Sequence, residues 1–439
     1  MKQANEMTRK KHGARATGLL FLVGFGALIA VVTVQQRVRS ASRVKRSPPS
    51  AVGVQTPTAA PPAPARKPPW QRSLSLRQAL LEDGHLVQRL PDGTRVRYAL
   101  DPDLQQTAER LLRRYQVPYG SIVMLSVRTG RVLAMAGYSA ADPRLGPIRL
   151  ATQAWAPAAS VFKLVTSSAL IERNRARPLT RVCYHGGLRG LTVKNLVDDP
   201  KKDTTCHTLA DAVGMSLNAV VGKLARKLSR DELLETTNRF GFNARIDADV
   251  DVAPSRAEIP REEFARARVA AGFWHTTLSP LHAALLAQAL ANGGVMVRSQ
   301  LVSEVRRPDG TRVEPPKRWR RQVVTPFVAK VVGRMMVLTT TVGTARDGFY
   351  DRQGHAYLPA FKVAAKTGTL SRKNPTLDYN WLVGFAPYDR PRVAFAILLG
   401  NPVRWRTKPH FLARQLLQAA FAQDREPTPT PRPAAKRRR

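Results

Sequence analysis

Two hydrophobic rhythms alternate along the chain. Across residues 103–115, Leu104, Ala108, Leu111 and Leu112 recur at three- and four-residue steps, the spacing of one helix face. Residues 121–127 and 131–137 are apolar runs of strand length on either side of Thr129-Gly130, which predicts a tight turn. Upstream, residues 85–99 predict a hairpin turning at Pro91-Asp92-Gly93. Helical spacing dominates from residue 160 to 239. Strand-like runs return at 363–370, 379–386 and 392–399, and 409–422 closes as an amphipathic helix. Strands therefore stand at both ends of one block, with helices inserted between them. Short turns join sequential strands, so antiparallel pairing is expected. The predicted class is α+β: a five-stranded antiparallel sheet flanked by helices, with an all-helical subdomain.

The ends of the chain follow other patterns. Residues 17–34 are apolar or uncharged and would extend roughly 27 Å as a helix, enough for a bilayer core. The run is longer than a secretory h-region, and Ser40-Ala41-Ser42 after Arg37 and Arg39 makes a poor cleavage site. A retained transmembrane anchor is the expectation. Lys2, Arg9, Lys10, Lys11 and Arg15 precede the span, and Arg37, Arg39, Arg43, Lys45 and Arg46 follow it, so the positive-inside rule does not set its orientation. Pro48, Pro49, Pro57, Pro61, Pro62, Pro64, Pro68 and Pro69 leave no room for a long helix and predict a semi-rigid spacer. The expected division is a basic segment (1–16), the anchor (17–34), a Pro-rich linker (35–75), a lead-in hairpin (76–100), the main domain (101–423) and a basic tail (424–439).

Composition adds one unusual fact. Hydrophobic content of 43% over 439 residues is ordinary for a folded protein, but the formal charge is +40. Either the surface is simply Arg-rich, or the chain meets a polyanion. Nucleic acid is not expected, because no zinc-finger, basic-zipper or RNA-recognition pattern occurs. Anionic lipid and a carboxylate-bearing polymer remain open.

Candidate chemistry sits in three short motifs. Ser160-Val161-Phe162-Lys163 places a serine and a lysine one helical turn apart, in a segment apolar nearly all round. A buried lysine loses hydration and so loses its proton more readily; a neutral Lys163 could then deprotonate Ser160. Ser216-Leu217-Asn218 follows at a distance of 216 − 160 = 56 residues, between two helical runs. Lys366-Thr367-Gly368-Thr369 lies in a strand, where Lys366 and Thr367 offer a cation and a hydroxyl to a carboxylate, and Gly368 leaves room for a ligand backbone at the strand edge.

Serine-x-x-lysine, serine-x-asparagine and lysine-threonine-glycine, in this order, are a signature of penicillin-binding proteins and related β-lactamases. The chain resembles that family over about residues 100–423. Further likeness lies in Asp101-Pro102-Asp103-Leu104-Gln105, Ala291-Asn292-Gly293-Gly294 and Trp381-Leu382-Val383-Gly384-Phe385, which have no chemical role by themselves. The resemblance implies a serine D,D-transpeptidase that cross-links peptidoglycan stem peptides, with β-lactams as inhibitors and no cofactor or metal. It implies that Ser160 is the nucleophile, Lys163 its base, Ser216 a proton relay, Asn218 a contact to the lysine and the substrate, and Lys366, Thr367, Gly368 and Thr369 the substrate-binding strand. The backbone N–H groups of Ser160 and Thr369 would form the oxyanion hole.

It also implies a single-pass protein of the inner membrane with its catalytic domain outside the cytoplasm, and a separate glycosyltransferase as partner. Outside the cytoplasm, Cys183 and Cys206 are expected to pair. A zinc site at Cys183, His185, Cys206 and His207 is not expected, since the spacing matches no common module. The Glu-x-x-Leu-Asn element with which class A β-lactamases hydrolyse their acyl-enzyme is missing; Glu235 to Asn238 lies too close to Ser216. Two alternatives stay open: a D,D-carboxypeptidase, or a non-catalytic β-lactam sensor or wall-binding scaffold.

Overall fold

The structure, a computed structural model, describes residues 67–422 apart from 189, 274, 315–318, 373–375 and 403–406. The expected anchor at 17–34, most of the linker and the basic tail lie outside the described residues. Among the described residues, no helix is long and apolar enough to cross a membrane.

In chain order, a one-turn helix α1 (Pro69–Arg72) leads to strands β1 (Leu80–Glu82), β2 (His85–Arg89) and β3 (Arg95–Tyr98). Helix α2 (Pro102–Arg114) follows, then β4 (Tyr119–Ser126), β5 (Val132–Tyr138) and α3 (Pro147–Thr152). The inserted region holds α4 (Lys163–Glu172), β6 (Arg181–Tyr184), β7 (Thr205–Thr208), α5 (Leu209–Gly214), α6 (Asn218–Ala225), α7 (Arg230–Arg239) and α8 (Glu263–Ala271). Then come α9 (Pro280–Ala291), β8 (Val295–Val297), β9 (Val302–Arg306), β10 (Arg320–Gln322), α10 (Pro326–Thr341) and α11 (Arg346–Phe349). Strands β11 (Ala364–Arg372), β12 (Leu377–Ala386) and β13 (Val393–Asn401), and helix α12 (Pro409–Ala420), complete the fold.

The main sheet has the order β11-β12-β13-β4-β5, antiparallel throughout. Two-residue alternation gives it two apolar faces. Val123, Leu125, Val383, Ala396 and Leu398 face one core, which includes α4 and α9. Ile122, Met124, Leu382, Phe395 and Ile397 face the other, against Leu104, Leu111 and Leu112 of α2 and Leu412 and Leu416 of α12. Every residue of β13 is buried, which is why its sequence reads as one apolar run rather than as an alternation. Helix starts follow local chemistry: the Asp101 carboxylate accepts from Leu104 N at 3.0 Å, immediately before Pro102.

Two expectations need correction. The inserted region is not all-helical, since β6 and β7 pair within it and Cys183 is bonded to Cys206 across that pair. Four-residue strands carry too little periodicity to stand out from the surrounding helical spacing. The stretch after residue 75 is also more than a lead-in hairpin. β1, β2 and β3 join β9, some two hundred residues away, in a four-stranded sheet.

Phe395 has no solvent exposure and sits at the centre of the α2/α12 core. Phe395→Ala is expected to lower the unfolding free energy by about 3–5 kcal/mol in urea titrations. Leu80→Ala, at a position 68% exposed, should stay within about 0.5 kcal/mol of the parent.

Candidate active site

Ser160 sits in a 3-10 turn, Ala159–Phe162, that runs directly into α4. The preceding Ala159 has φ +49°, in the left-handed region that non-glycine residues avoid. The turn is held from several sides. Ala158 N donates to Thr276 Oγ1 at 3.3 Å, and Trp381 Nε1 donates to the Pro157 carbonyl at 2.9 Å. Gly272, at φ +95° past the end of α8, packs so closely that a Cβ there would lie 2.1 Å from Ala159 O. Strain at Ala159, just before Ser160, is therefore maintained by its neighbours rather than relieved.

Lys163, at the first position of α4, has no solvent exposure. Its Nζ has three partners: Ser160 Oγ at 2.7 Å, Asn218 Oδ1 at 2.7 Å and Ala271 O at 2.5 Å. The last two are carbonyl oxygens and can only accept. When Lys163 is neutral, its two N–H donors satisfy both carbonyls and its lone pair is left for the Ser160 hydroxyl. Burial, followed by the charge of Lys366, drives the Lys163 pKa well below the ordinary lysine value.

The second motif bends sharply. Ser216 has φ +61°, and Asn218 opens α6 directly after it. The Asn218 amide bridges two elements, with Oδ1 towards Lys163 and Nδ2 donating to Leu188 O at 2.8 Å. The third motif lies on β11, the edge strand of the main sheet. Lys366 is fully buried, and its Nζ donates to Ser216 Oγ at 2.9 Å and to Thr367 O at 2.9 Å. Its amine therefore turns inward to the second serine instead of lining the cleft, and burial pulls its pKa down to about 7. Gly368 also differs from expectation. A Cβ there would come within 3.2 Å of Trp381 and 3.3 Å of Ala159, so its missing side chain lets β11 close onto the serine turn.

A cleft of about 740 Å³ opens over this assembly, lined by Ser160, Ser216, Asn218, Thr367 and Thr369 with both lysines buried beneath. All eight expected residues of the three motifs thus gather at one place. Cys183 and Cys206 do not line the cleft. Sequence reasoning missed Ala271, whose carbonyl holds Lys163, and Thr344, whose hydroxyl meets that of Thr367 at 2.5 Å. Neither has a local signal. Gly272 had a weak one, as a glycine closing a helical run, and Trp381 stood within a recognisable landmark.

These features define the class: an α+β protein with a serine–lysine pair under a cleft bordered by a sheet edge. The family model for the penicillin binding protein transpeptidase domain matches residues 120–416, and the chain belongs to that family. It is 28% identical to penicillin-binding protein PbpB of Mycobacterium tuberculosis over 342 residues, 71% of this chain and 49% of that protein. It is 25% identical to peptidoglycan D,D-transpeptidase PbpA of the same species, over 71% of this chain and 68% of that one. The chain spans about half the length of PbpB from two mycobacterial species. Among solved structures, the imipenem acyl-enzyme of M. tuberculosis penicillin-binding protein A superposes with a TM-score of 0.63 at 24% identity, covering 75% of this chain and 80% of that one. The D,D-transpeptidase domain of a peptidoglycan glycosyltransferase from Eggerthella lenta gives 0.62 at 23%, covering 78% and 96%.

Lys366 yields a pH prediction. Its pKa is about 7 in the fold and about 10.4 in an unfolded chain. Between those values the unfolded state binds the extra proton, so stability rises with pH across that window. Lys163 contributes in the same direction. Urea unfolding at pH 7 and pH 9 is expected to show this rise, and Lys366→Met should reduce it to the part due to Lys163.

Proposed function

We propose that this chain is a membrane-anchored serine D,D-transpeptidase that cross-links peptidoglycan stem peptides and is acylated by β-lactams. The observation that carries the reading is the geometry at Lys163: its buried Nζ lies 2.7 Å from Ser160 Oγ and is held there by the Asn218 and Ala271 carbonyls. A nucleophile with its base at hydrogen-bond distance is what acyl transfer requires.

In this reading, Ser160 Oγ attacks the carbonyl between the two terminal D-alanines while its proton passes to Lys163. The backbone N–H groups of Ser160 and Thr369 receive the negative charge of the tetrahedral intermediate. Ser216, bonded to Lys366, relays a proton to the leaving amine, its hydroxyl regaining the one that Lys163 took from Ser160, and D-alanine departs with Lys163 neutral again. The amine of a second stem then attacks the ester, and the proton transfers run in reverse. The stem lies along β11 as an added strand, its terminal carboxylate at the Thr367 and Thr369 hydroxyls in the positive field of Lys366.

Related proteins support the reading. M. tuberculosis PbpA carries the name peptidoglycan D,D-transpeptidase, and penicillin-binding protein A from that species has been captured as an imipenem acyl-enzyme. Glu235, the nearest look-alike of a deacylating glutamate, lies on α7 and is bonded to Arg173 at 2.5 Å. A stable β-lactam adduct follows. The apolar segment 17–34 would anchor the domain on the outer face of the inner membrane, and tethering there raises the effective concentration of membrane-linked stems. A separate glycosyltransferase would supply the glycan strands. The same geometry serves a D,D-carboxypeptidase if water replaces the amine.

Fluorescent penicillin should label the parent protein and leave Ser160→Ala unlabelled, with the adduct on the peptide bearing Ser160 in mass spectrometry. Labelling that persists in Ser160→Ala removes the assignment. Lys163→Met should slow acylation about 10²–10⁴-fold, the range for loss of a general base. With lipid-linked precursor and a polymerase in membranes, muropeptide analysis should give cross-linked dimers that depend on Ser160. Tetrapeptide monomers alone would select the carboxypeptidase instead.

A further inference from the structure

Helix α6 carries Asn218 at its first position, and the loop closed by the Cys183–Cys206 bond grips it at every turn. At the top, Asn218 Nδ2 donates to Leu188 O at 2.8 Å. Beside it, Gly187 sits at φ +68°, and a Cβ there would come within 2.9 Å of Ala219 Cβ. One turn on, a Cβ at Gly222 would meet Leu191 at 2.9 Å and Leu196 at 3.0 Å. Just past the helix, Arg226 Nη1 donates to Leu196 O at 2.8 Å.

Lys223 is the polar centre of this grip. It is 7% exposed, and its ammonium uses all three donors on the loop: Cys183 O at 3.0 Å, Asp198 Oδ1 at 3.0 Å and Asp203 Oδ2 at 2.5 Å. Asp203 is itself fixed, by His185 Nδ1 at 2.5 Å and by Asp199 N at 3.0 Å. The Asp203 carboxylate is as buried as Lys223, so each depends on the other as a partner, while Asp198 is open to solvent. The chemistry described so far does not use it.

We propose that Lys223 is a positioning residue for acyl transfer: it locks the disulfide-closed loop onto α6, and the loop in turn fixes the orientation of the Asn218 amide. The proposal rests on the transpeptidase reading for its functional consequence. The link is the Leu188 carbonyl, an acceptor that selects the Asn218 NH₂ and so leaves Oδ1 for Lys163. Were the loop to shift, the amide could turn over. Its N–H would then bond the Lys163 lone pair, which must receive the Ser160 proton. A clamp on α6 thus keeps the base available.

The test measures acylation of the full-length chain by fluorescent penicillin in stopped flow, together with hydrogen exchange of α6. Lys223→Met should lower the acylation rate constant at least tenfold with the non-covalent Kd within twofold of the parent. In an Asn218→Ala background the same change should alter the rate less than twofold, because Lys223 acts through Asn218. Equal losses in the two backgrounds, or a parental rate in Lys223→Met, would overturn the proposal. Exchange should quicken across residues 218–225 and stay unchanged in β12 and β13; unchanged α6 exchange also overturns it. Should Lys223→Met fail to fold, Asp203→Asn removes one anchor at nearly constant shape and carries the same expectations. If the parent chain takes no label at Ser160, the transpeptidase reading falls, while the exchange data still decide whether Lys223 clamps α6.

Discussion

The burial of Lys163 is the constraint on which the rest of this structure depends. A lysine amine enclosed by protein is unfavourable as a cation and becomes a usable base only if its surroundings are dry and its two donors are satisfied. Meeting both conditions takes groups far apart in the chain: Ala271 at the end of α8 and Asn218 at the start of α6. Each must arrive within hydrogen-bond distance without admitting water. The apolar helix α4 and the core that packs around it are therefore part of the chemistry, since they supply the low-dielectric setting.

The same demand explains the strained turn. Ala159 and Ser216 both occupy left-handed backbone, one before the first serine and one at the second. Such conformations persist only where neighbouring structure over-determines them. Gly272, Gly368 and Trp381 do so for the first, by close backbone approach and one buried hydrogen bond. Placed between two packed layers, the serine has little freedom to relax away from its base.

The charge of the chain acts separately from this centre. Many arginines of the inserted region are taken up in ion pairs, such as Arg226 with Glu263 and Arg230 with Asp231. Pairs of this kind lie at the surface and contribute little to stability. The buried lysines differ. Lys163 and Lys366 share one site, and their repulsion helps to hold Lys163 neutral. Lys223, among two carboxylates and a carbonyl, ties a loop to a helix.

Much of this protein was legible in its sequence. The helix at 102–114, the strands about Thr129-Gly130, the three C-terminal strands and the last helix all follow from hydrophobic period and turn residues, which act over a few positions. The three motifs named Ser160, Lys163, Ser216, Asn218 and Lys366 because their order and residue types are chemically specific. What sequence could not decide is non-local. That β13 pairs with β4, that β9 completes a sheet begun at residue 80, and that Ala271 and Thr344 border the site depend on which distant segments meet. A carbonyl oxygen or a missing Cβ has no side-chain signature, so Ala271, Gly272 and the true role of Gly368 emerged only from the packed chain. The short pair β6 and β7 was missed because four residues are too few to show a period, and its pairing brings together segments about twenty residues apart.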